Sequence, residues 1–261
     1  MKLLVNVDHI ATLRNARSEG YPDPVAGAKL CEENGAAGIV FHLREDRRHI
    51  KDRDAWGLSK TVTGLLDFEM GASEEMLDIC TRMKPDLCTL VPEKREEITT
   101  EGGLDLEKIY DDYAERVLPR LKEAGVPVSL FVEPSVPDME RCAKLGVPVV
   151  ELHTGLYSNT SGSRQIEELK RLGRAAEAAH KLGIKVNAGH GLNKHNIRPF
   201  VEHVPYLDEI SIGHALMADA LFYGIPACVR EMSDILASYE ASGEKYRPAG
   251  VSSSPSSSSP S

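Results

Sequence analysis

The feature that most constrains the fold of this chain is a regular alternation of short apolar runs with segments of helical spacing. About eight runs have the length and β-branched character of strands in a parallel sheet that is buried on both faces. Between them, apolar residues recur three or four positions apart, most clearly from Gln165 to Leu182. The predicted strands comprise residues 3–5, 38–41, 65–68, 87–91, 128–132, 149–152, 184–187 and 209–212.

This alternation predicts an α/β fold, a (β/α)8 barrel, that forms a single domain over residues 1–240. A doubly wound sheet is the alternative, but it usually carries a glycine-rich fingerprint after its first strand, and none follows Val5. Pro119 should kink or split the helix predicted over residues 104–121. Residues 241–261 form a Ser/Pro-rich tail that cannot bury apolar surface, so we expect it to be disordered.

Charge and cysteine usage limit the classes of function. The 31 basic and 40 acidic residues give a formal net charge of −9, which disfavours non-specific binding to nucleic acid. The N-terminus lacks a basic segment followed by an apolar one, and no apolar run approaches about 18 residues, so we expect neither secretion nor membrane association. Five cysteines without a C-x-x-C pair indicate buried free thiols in a reducing cytoplasm.

Chemically versatile side chains recur where predicted strands end. Because the active site of a (β/α)8 barrel is built from the C-terminal ends of its strands, these side chains should converge. A single histidine beside a strand is usually structural, but recurrence at equivalent strand ends favours a functional role. The side chains expected to converge are Asn6, Asp8, His9, His42, Arg44, Glu69, Glu151, His153, Asn187, His190 and His214.

Glu69 is the strongest candidate for a general acid or base. It lies between Phe68 and Met70, where burial would raise the pKa of its carboxyl group toward neutrality. An inward ion pair with an arginine is the alternative. Asp67, two residues earlier, should share the face of Glu69 and raise that pKa further.

Candidate anion-binding groups occur in three loops. Arg44 directly follows the second strand, and Arg14 and Arg17 lie beyond the first. Gly189-His190-Gly191 and Gly213-His214 follow strands seven and eight, where barrels of this kind commonly bind phosphate through backbone N–H groups. The sequence therefore predicts a phosphorylated small-molecule ligand.

A metal site is not predicted. The chain has no H-x-H or H-E-x-x-H motif, and Asp8 and His9, as neighbours in an extended segment, should point to opposite faces. No motif supports a Ser or Cys nucleophile either.

Several segments resemble the pyridoxine 5′-phosphate synthase family of vitamin B6 biosynthesis. The most specific are residues 6–17 (NVDHIATLRNAR) and 42–50 (HLREDRRHI), and the others are residues 21–24, 91–95, 99–105 and 186–192. The resemblance runs in order over about residues 3 to 235. It implies a barrel with extra helices, which assembles as a homo-octamer and uses neither a cofactor nor a metal. The implied reaction condenses 3-amino-2-oxopropyl phosphate with 1-deoxy-D-xylulose 5-phosphate, and releases phosphate and water.

The resemblance also implies roles, residue by residue. His42 and Glu69 would accept protons, His190 would donate one, and Glu151 would stabilise a transition state. The deoxyxylulose phosphate would be held by Asp8, His9, Arg44, His49 and Thr99. The amino-oxopropyl phosphate would be held by Asn6, Arg17, Gly191, Gly213 and His214.

Two other functions stay open at this point. The chain could be another sugar-phosphate aldolase or epimerase, although Lys185, the one lysine within a predicted strand, is a poor Schiff-base candidate. It could also be a non-catalytic barrel that binds phosphorylated metabolites.

The sequence departs from the usual family pattern at Asp67-Phe68, where Asn-Leu is common.

Overall fold

The computed structural model describes residues 1–17, 19–93 and 102–241, with side chains described up to Tyr239. Its strands form a closed parallel barrel in the order β1 to β8, in which β1 also pairs with β8. The predicted (β/α)8 barrel is thereby confirmed. The strands are β1 (Lys2–Asn6), β2 (Gly38–His42), β3 (Leu65–Met70), β4 (Leu87–Leu90), β5 (Val128–Val132), β6 (Val149–His153), β7 (Lys185–Gly189) and β8 (Leu207–Ile212).

Helices surround the barrel, and apolar residues on their inner faces pack against outward-facing strand residues such as Phe41 and Phe68. The helices are α1 (Asp8–Asn15), α2 (Pro24–Glu33), α3 (Asp52–Thr61), α4 (Glu74–Met83), α5 (Leu106–Asp112), α6 (Leu118–Glu123), α7 (Val136–Leu145), α8 (Gly155–Ser158), α9 (Gly162–Lys181), α10 (Ile197–His203), α11 (His214–Tyr223) and α12 (Ile225–Ala241).

The connection after β4 is divided where Pro119 predicts a break. A π-helical turn, Tyr113–Val117, lies between α5 and α6, and Pro119 follows in the first turn of α6, where its missing N–H costs least. The five cysteines are buried free thiols, as expected. None of the helices within the described residues is long and apolar enough to cross a membrane.

Two local predictions are wrong. Asp8 and His9 do not continue the strand alternation, because both lie in the first turn of α1. That helix has no side-chain N-cap and a largely polar sequence, so the local pattern gave little sign of it. The short helix α8 was also not predicted. Thr99 and the tail from residue 242 onward, for which the sequence also made predictions, lie outside the described residues.

The interior of the barrel is unusually polar below its C-terminal rim. Asp67 is 2% exposed, and its carboxylate lies 2.8 Å from the hydroxyl oxygen of Thr89 on the next strand. Asn187 donates to Glu209 at 2.9 Å on the opposite side. Burial, with the nearby charge of Glu209, raises the pKa of Asp67 to about 7. Asp67 therefore faces inward with Glu69, as the sequence predicted.

Candidate active site

The first three strands bring two carboxylates and an amide together at the C-terminal rim. Asn6 Nδ2 donates to Asp8 Oδ2 at 3.1 Å and lies 3.4 Å from Glu69 Oε2. The backbone N–H of Asp8 donates to Asn6 Oδ1 at 2.9 Å, and that of His42 donates to Asp8 Oδ1 at 2.9 Å. The start of α1 thus turns Asp8 back over the barrel mouth, next to the strand that carries His42.

His42 is paired with a residue that the sequence reasoning missed. Its Nε2 lies 2.9 Å from Oε1 of Glu93, three residues beyond β4. Glu93 also accepts the backbone N–H groups of Glu45 and Gly71. Burial would raise the pKa of Glu93, but the hydrogen bond from His42 and these backbone donors outweigh it and lower that pKa. The one available signal was a carboxylate shortly after a strand end.

Two inward-pointing carboxyl groups, the half-buried Glu69 on β3 and the buried Glu151 on β6, have raised pKa values. Burial, followed by the charges of Glu151, Asp8 and Asp67, holds the pKa of Glu69 well above its ordinary value. Burial, with Asp67 and Glu209, raises the pKa of Glu151 to about 8. The raised pKa of Glu151 suits proton exchange near neutral pH, and that of Glu69 is shifted in the same direction, as suits a general acid or base.

Imidazole rings crowd the opposite side of the mouth. His190 follows β7 with its ring centroid 5.6 Å from that of His153 at the end of β6. Burial, with the neighbouring rings of His153 and His9, lowers the pKa of His190 to about 4. The φ angle of His190 is +77°, a left-handed conformation that side chains rarely adopt. The hydroxyl of Thr154 lies 2.7 Å and 2.6 Å from the carbonyl oxygens of Gly189 and His190, and so holds this turn.

The glycines at the rim allow neighbouring side chains to lie closer to the backbone than a Cβ atom would permit. A Cβ atom on Gly189 would lie 2.3 Å from Oε1 of Glu151, and one on Gly213 would lie 3.0 Å from Cβ of Asn6. Gly191 has a φ of +84°. After Gly213, α11 begins at His214, whose ring meets that of His9 edge-on at 5.0 Å. These backbone positions lie where the sequence predicted a phosphate site.

The structure distinguishes among the predicted basic and loop residues. Arg44 is buried at 3% exposure, and His49 Nδ1 lies 3.9 Å from Asp8 Oδ1. Burial lowers the pKa of His49. Arg14 instead makes a buried bidentate ion pair with Asp54, with both distances 2.7 Å, and is thereby a structural residue. Arg17 is exposed beyond the far end of α1, and its backbone N–H donates to the carbonyl oxygen of Arg14 at 3.4 Å.

Asp8 and His9 do not lie on opposite faces of a strand, because α1 begins at Asp8, so this ground for excluding a metal site does not hold. Asp8, His42 and Glu69 each offer a ligand atom, and these atoms all lie within 4.8 Å of one another. This geometry is compatible with a divalent cation. A metal-free reaction remains a prediction.

The arrangement suits proton transfers on anionic substrates. Carboxyl groups with raised pKa values share the mouth with His190, whose pKa is lowered, and glycine-rich turns offer backbone donors. Holding two substrates in one such mouth would provide the proximity that a bimolecular condensation lacks in water.

Comparison with known proteins gives a consistent result. A family model described as "Pyridoxal phosphate biosynthesis protein PdxJ" matches residues 3–238. Pyridoxine 5′-phosphate synthase of Chlorobium luteolum is 55% identical over 236 residues, which is 90% of this chain and 100% of that protein. The synthase of Salinibacter ruber is 53% identical over 233 residues, 88% of this chain and 95% of the relative.

Among solved structures, phosphoribosyl anthranilate isomerase from Thermus thermophilus matches with a TM-score of 0.54 at 16% identity and covers 91% of this chain and 99% of that one. Tryptophan synthase from M. tuberculosis matches with a TM-score of 0.60 at 13% identity, over 90% of this chain and 92% of that one. At these identities the matches show the fold alone.

Proposed function

This chain belongs to the PdxJ family of pyridoxal phosphate biosynthesis proteins, and from that premise we propose how its barrel makes pyridoxine 5′-phosphate. The reaction is the condensation of 3-amino-2-oxopropyl phosphate with 1-deoxy-D-xylulose 5-phosphate, with release of phosphate and water. The observation that carries the proposal is the convergence of Asp8, His42, Glu69, Glu151 and His190 at one barrel rim.

In this proposal Glu69 and His42 accept protons as the two substrates form an imine and as the bound substrate then loses water. Glu69 suits the role because its buried carboxylate, once ionised, is a stronger base than an exposed one. His190 returns a proton to a departing oxygen. A bound phosphate would place a negative charge beside His190, and an opposite charge raises the pKa of an imidazole. Glu151, against Gly189, stabilises a charged transition state.

The two substrates are proposed to occupy adjacent parts of the mouth. Asp8, His9, Arg44 and His49 would hold the deoxyxylulose phosphate, together with Thr99. His9 supports this assignment because its Nδ1 atom is buried without a partner among the described residues. The amino-oxopropyl phosphate would lie against Asn6, Gly191, Gly213 and His214. Arg17 would complete this second site only if a neighbouring subunit or a bound substrate brings the two together.

Self-association as a homo-octamer is part of the proposal. An apolar groove of about 330 Å³ runs from His9 and His214 along α11. Leu221, Phe222 and Tyr223, at the end of that helix, are 68%, 82% and 67% exposed. Exposed apolar surface of this kind is typical of a subunit interface. Light scattering on the purified protein would give the subunit number.

Residues 1–240 are proposed to act as one domain, in the cytoplasm. The cytoplasmic location is supported by the five buried free thiols, which suit a reducing compartment.

The decisive experiment mixes the purified chain with both substrates and measures pyridoxine 5′-phosphate. Product formation that needs both substrates is expected. Binding without product would favour a non-catalytic barrel instead. Trapping of a substrate on a lysine by borohydride would favour an aldolase, but Lys185 is a poor target because it begins β7, away from the rim, and pairs with Asp208.

A further inference from the structure

A second carboxylate–imidazole pair lies at the rim and has no part in the roles given above. His153 Nδ1 lies 2.7 Å from Oε1 of Glu133, which directly follows β5. Glu133 also accepts the backbone N–H of Gly103 at 3.2 Å and an N–H of Arg171 at 3.2 Å. His153 itself is only 8% exposed. These contacts hold the pair in a fixed position at the side of the site.

The charges around Glu133 settle which atom donates. Burial would raise the pKa of Glu133, but the hydrogen bonds from His153 and Gly103 and the charge of Arg171 outweigh it and lower that pKa to about 2. Glu133 is thus an ionised acceptor at neutral pH, and Nδ1 of His153 must carry the proton. The Nε2 atom is then directed away from Glu133, against the Cα of Gly155, where a Cβ atom would lie only 2.4 Å from it.

His153 in turn contacts the proposed proton donor. The rings of His153 and His190 meet edge to face, with centroids 5.6 Å apart and planes inclined by 68°. Phe131 closes the group, with its centroid 5.3 Å from that of His153 and 6.0 Å from that of His190. His190 has a strained backbone, so its ring needs contacts of this kind to fix its direction.

We propose that His153, held by Glu133, is a positioning residue that fixes the ring orientation of His190 and sets the electrostatic environment in which His190 holds its proton. This inference rests on the proposed role of His190 as proton donor. It assigns a purpose to a partly buried carboxylate–imidazole pair on the β5–β6 side of the barrel that the proposed chemistry leaves unused. A carboxylate can orient a catalytic imidazole by accepting its N–H group. Here Glu133 would orient His153, and the ring of His153 would in turn orient that of His190.

The pKa values of His190 and Glu133 are influenced by described groups on several different elements. His190 is influenced by His153 from β6 and by His9 from α1. Glu133 is influenced by His153, Gly103 and Arg171, and Arg171 also pairs with Glu168 at 2.8 Å. Within the described part of the chain, Glu168 pairs with Arg171 and makes no hydrogen bond or ion pair with His153, so it provides a matched control for the loss of one carboxylate charge from the same network.

The test compares E133Q, H153Q and the control E168Q in the full-length protein, with steady-state kinetics for both substrates. We expect E133Q and H153Q to lower kcat roughly tenfold or more, a part of the factor of about 10² to 10⁴ that general acid–base catalysis contributes. KM for each substrate should change by less than about twofold, because no substrate contact is removed. E168Q should keep wild-type values.

NMR titration of the imidazole nitrogens gives a readout that does not depend on turnover. In H153Q the pH at the titration midpoint of His190 should rise toward the ordinary value for an imidazole. The reason is that the variant lacks the neighbouring imidazole, which contributes to lowering the pKa of His190. In E168Q it should stay in place. Thermal unfolding of each variant identifies any loss of folding, and the His190 titration of the variant that stays folded then decides.

Wild-type kcat and an unshifted His190 titration in both variants would overturn the inference. A rise in KM with unchanged kcat would also overturn it, since the pair would then be a substrate contact. Failure of the proposed function looks different: wild-type protein would give no product, or H190N would keep its activity, whereas the His190 titration would still test the positioning role.

Discussion

Two carboxylate–imidazole pairs stand across the barrel mouth from each other and differ in what surrounds them. His42 on β2 pairs with Glu93 at 2.9 Å, and His153 on β6 pairs with Glu133 at 2.7 Å. Because the barrel has eight strands in sequential order, β2 and β6 are diametrically opposed. In both pairs the carboxylate follows a different strand from the one that carries the histidine, and in both its pKa is lowered.

The neighbours make the two sides chemically unlike. On the β2 side, one side-chain atom each of Asp8, Glu69 and His42 lie within 4.8 Å of one another. Burial and the neighbouring carboxylates raise the pKa of Glu69. On the β6 side, His153 meets another imidazole, and burial lowers the pKa of His190. Burial pushes acids and bases alike toward their uncharged forms. We therefore propose that the same kind of pair supports proton acceptance on the β2 side and proton donation on the β6 side.

The largest expected effect comes from removing the base on the carboxylate side. Glu69→Gln should lower kcat by about 10² to 10⁴, the usual contribution of general acid–base catalysis, because the amide cannot accept a proton. The rate of pyridoxine 5′-phosphate formation measures this. Calorimetric binding of 1-deoxy-D-xylulose 5-phosphate should persist, and turnover near that of the wild type would contradict the base assignment.

The next largest effect tests whether the two pairs are equivalent. Glu93→Gln leaves His42 without its charged partner, and we expect kcat to fall roughly tenfold to hundredfold, as for carboxylates behind metal-bound histidines. Glu32→Gln is the matched control, because Glu32 also accepts two backbone N–H groups, those of Thr63 and Gly64, but pairs with no histidine among the residues that the structure describes. Equal activity of both variants would show that Glu93 has a purely structural role.

A smaller effect is expected at the turn that holds His190. Thr154→Val keeps the side-chain shape but removes the hydroxyl that bonds the carbonyl groups of Gly189 and His190. We expect a cost of about 1 kcal/mol in unfolding free energy and a several-fold loss of kcat. In Thr160→Val, which removes a hydroxyl bonded to Leu156, only stability should fall. Equal kcat in the two variants would mean that Thr154 does not position His190.

The smallest effect concerns stability and separates the two sides by pH. The pKa of Glu151 is about 8 in the folded chain, above its ordinary 4.5, so its contribution to stability is present below pH 4.5 and is lost as pH rises through 8. The pKa of His190 is about 4, below its ordinary 6.5, so its contribution is present above pH 6.5 and is lost as pH falls through 4.

Melting temperature as a function of pH checks this opposition. Glu151→Gln should flatten the alkaline side of the curve, and His190→Asn the acid side, with shifts of a few degrees, about 2–4 °C per kcal/mol for a chain of this size. A variant that flattened both sides equally would show that the two groups titrate as one unit.

Much of the fold could be predicted because it depends on local patterns. The run Val128–Val132 was predicted with its observed bounds, and Pro119 lies at the predicted break. Strand ends meet at one rim in any parallel barrel, so the convergence of His42, Glu69 and Glu151 followed from alternation alone. The resemblance then supplied expected roles, including those of His49 and Thr99, which the alternation gave no means to infer.

What only the tertiary structure decided is which charge meets which. Arg14 meets Asp54, and Glu93 and Glu133 meet His42 and His153, across separations of 40, 51 and 20 residues. Such pairs depend on how neighbouring loops fold over the rim, and no periodicity in the sequence records that. The sequence by itself determined that acids, bases and glycines would gather at one end of a barrel. Apart from Glu69, whose raised pKa the sequence predicted, the tertiary structure decided the direction in which the pKa values move, because burial and the nearest charge set it.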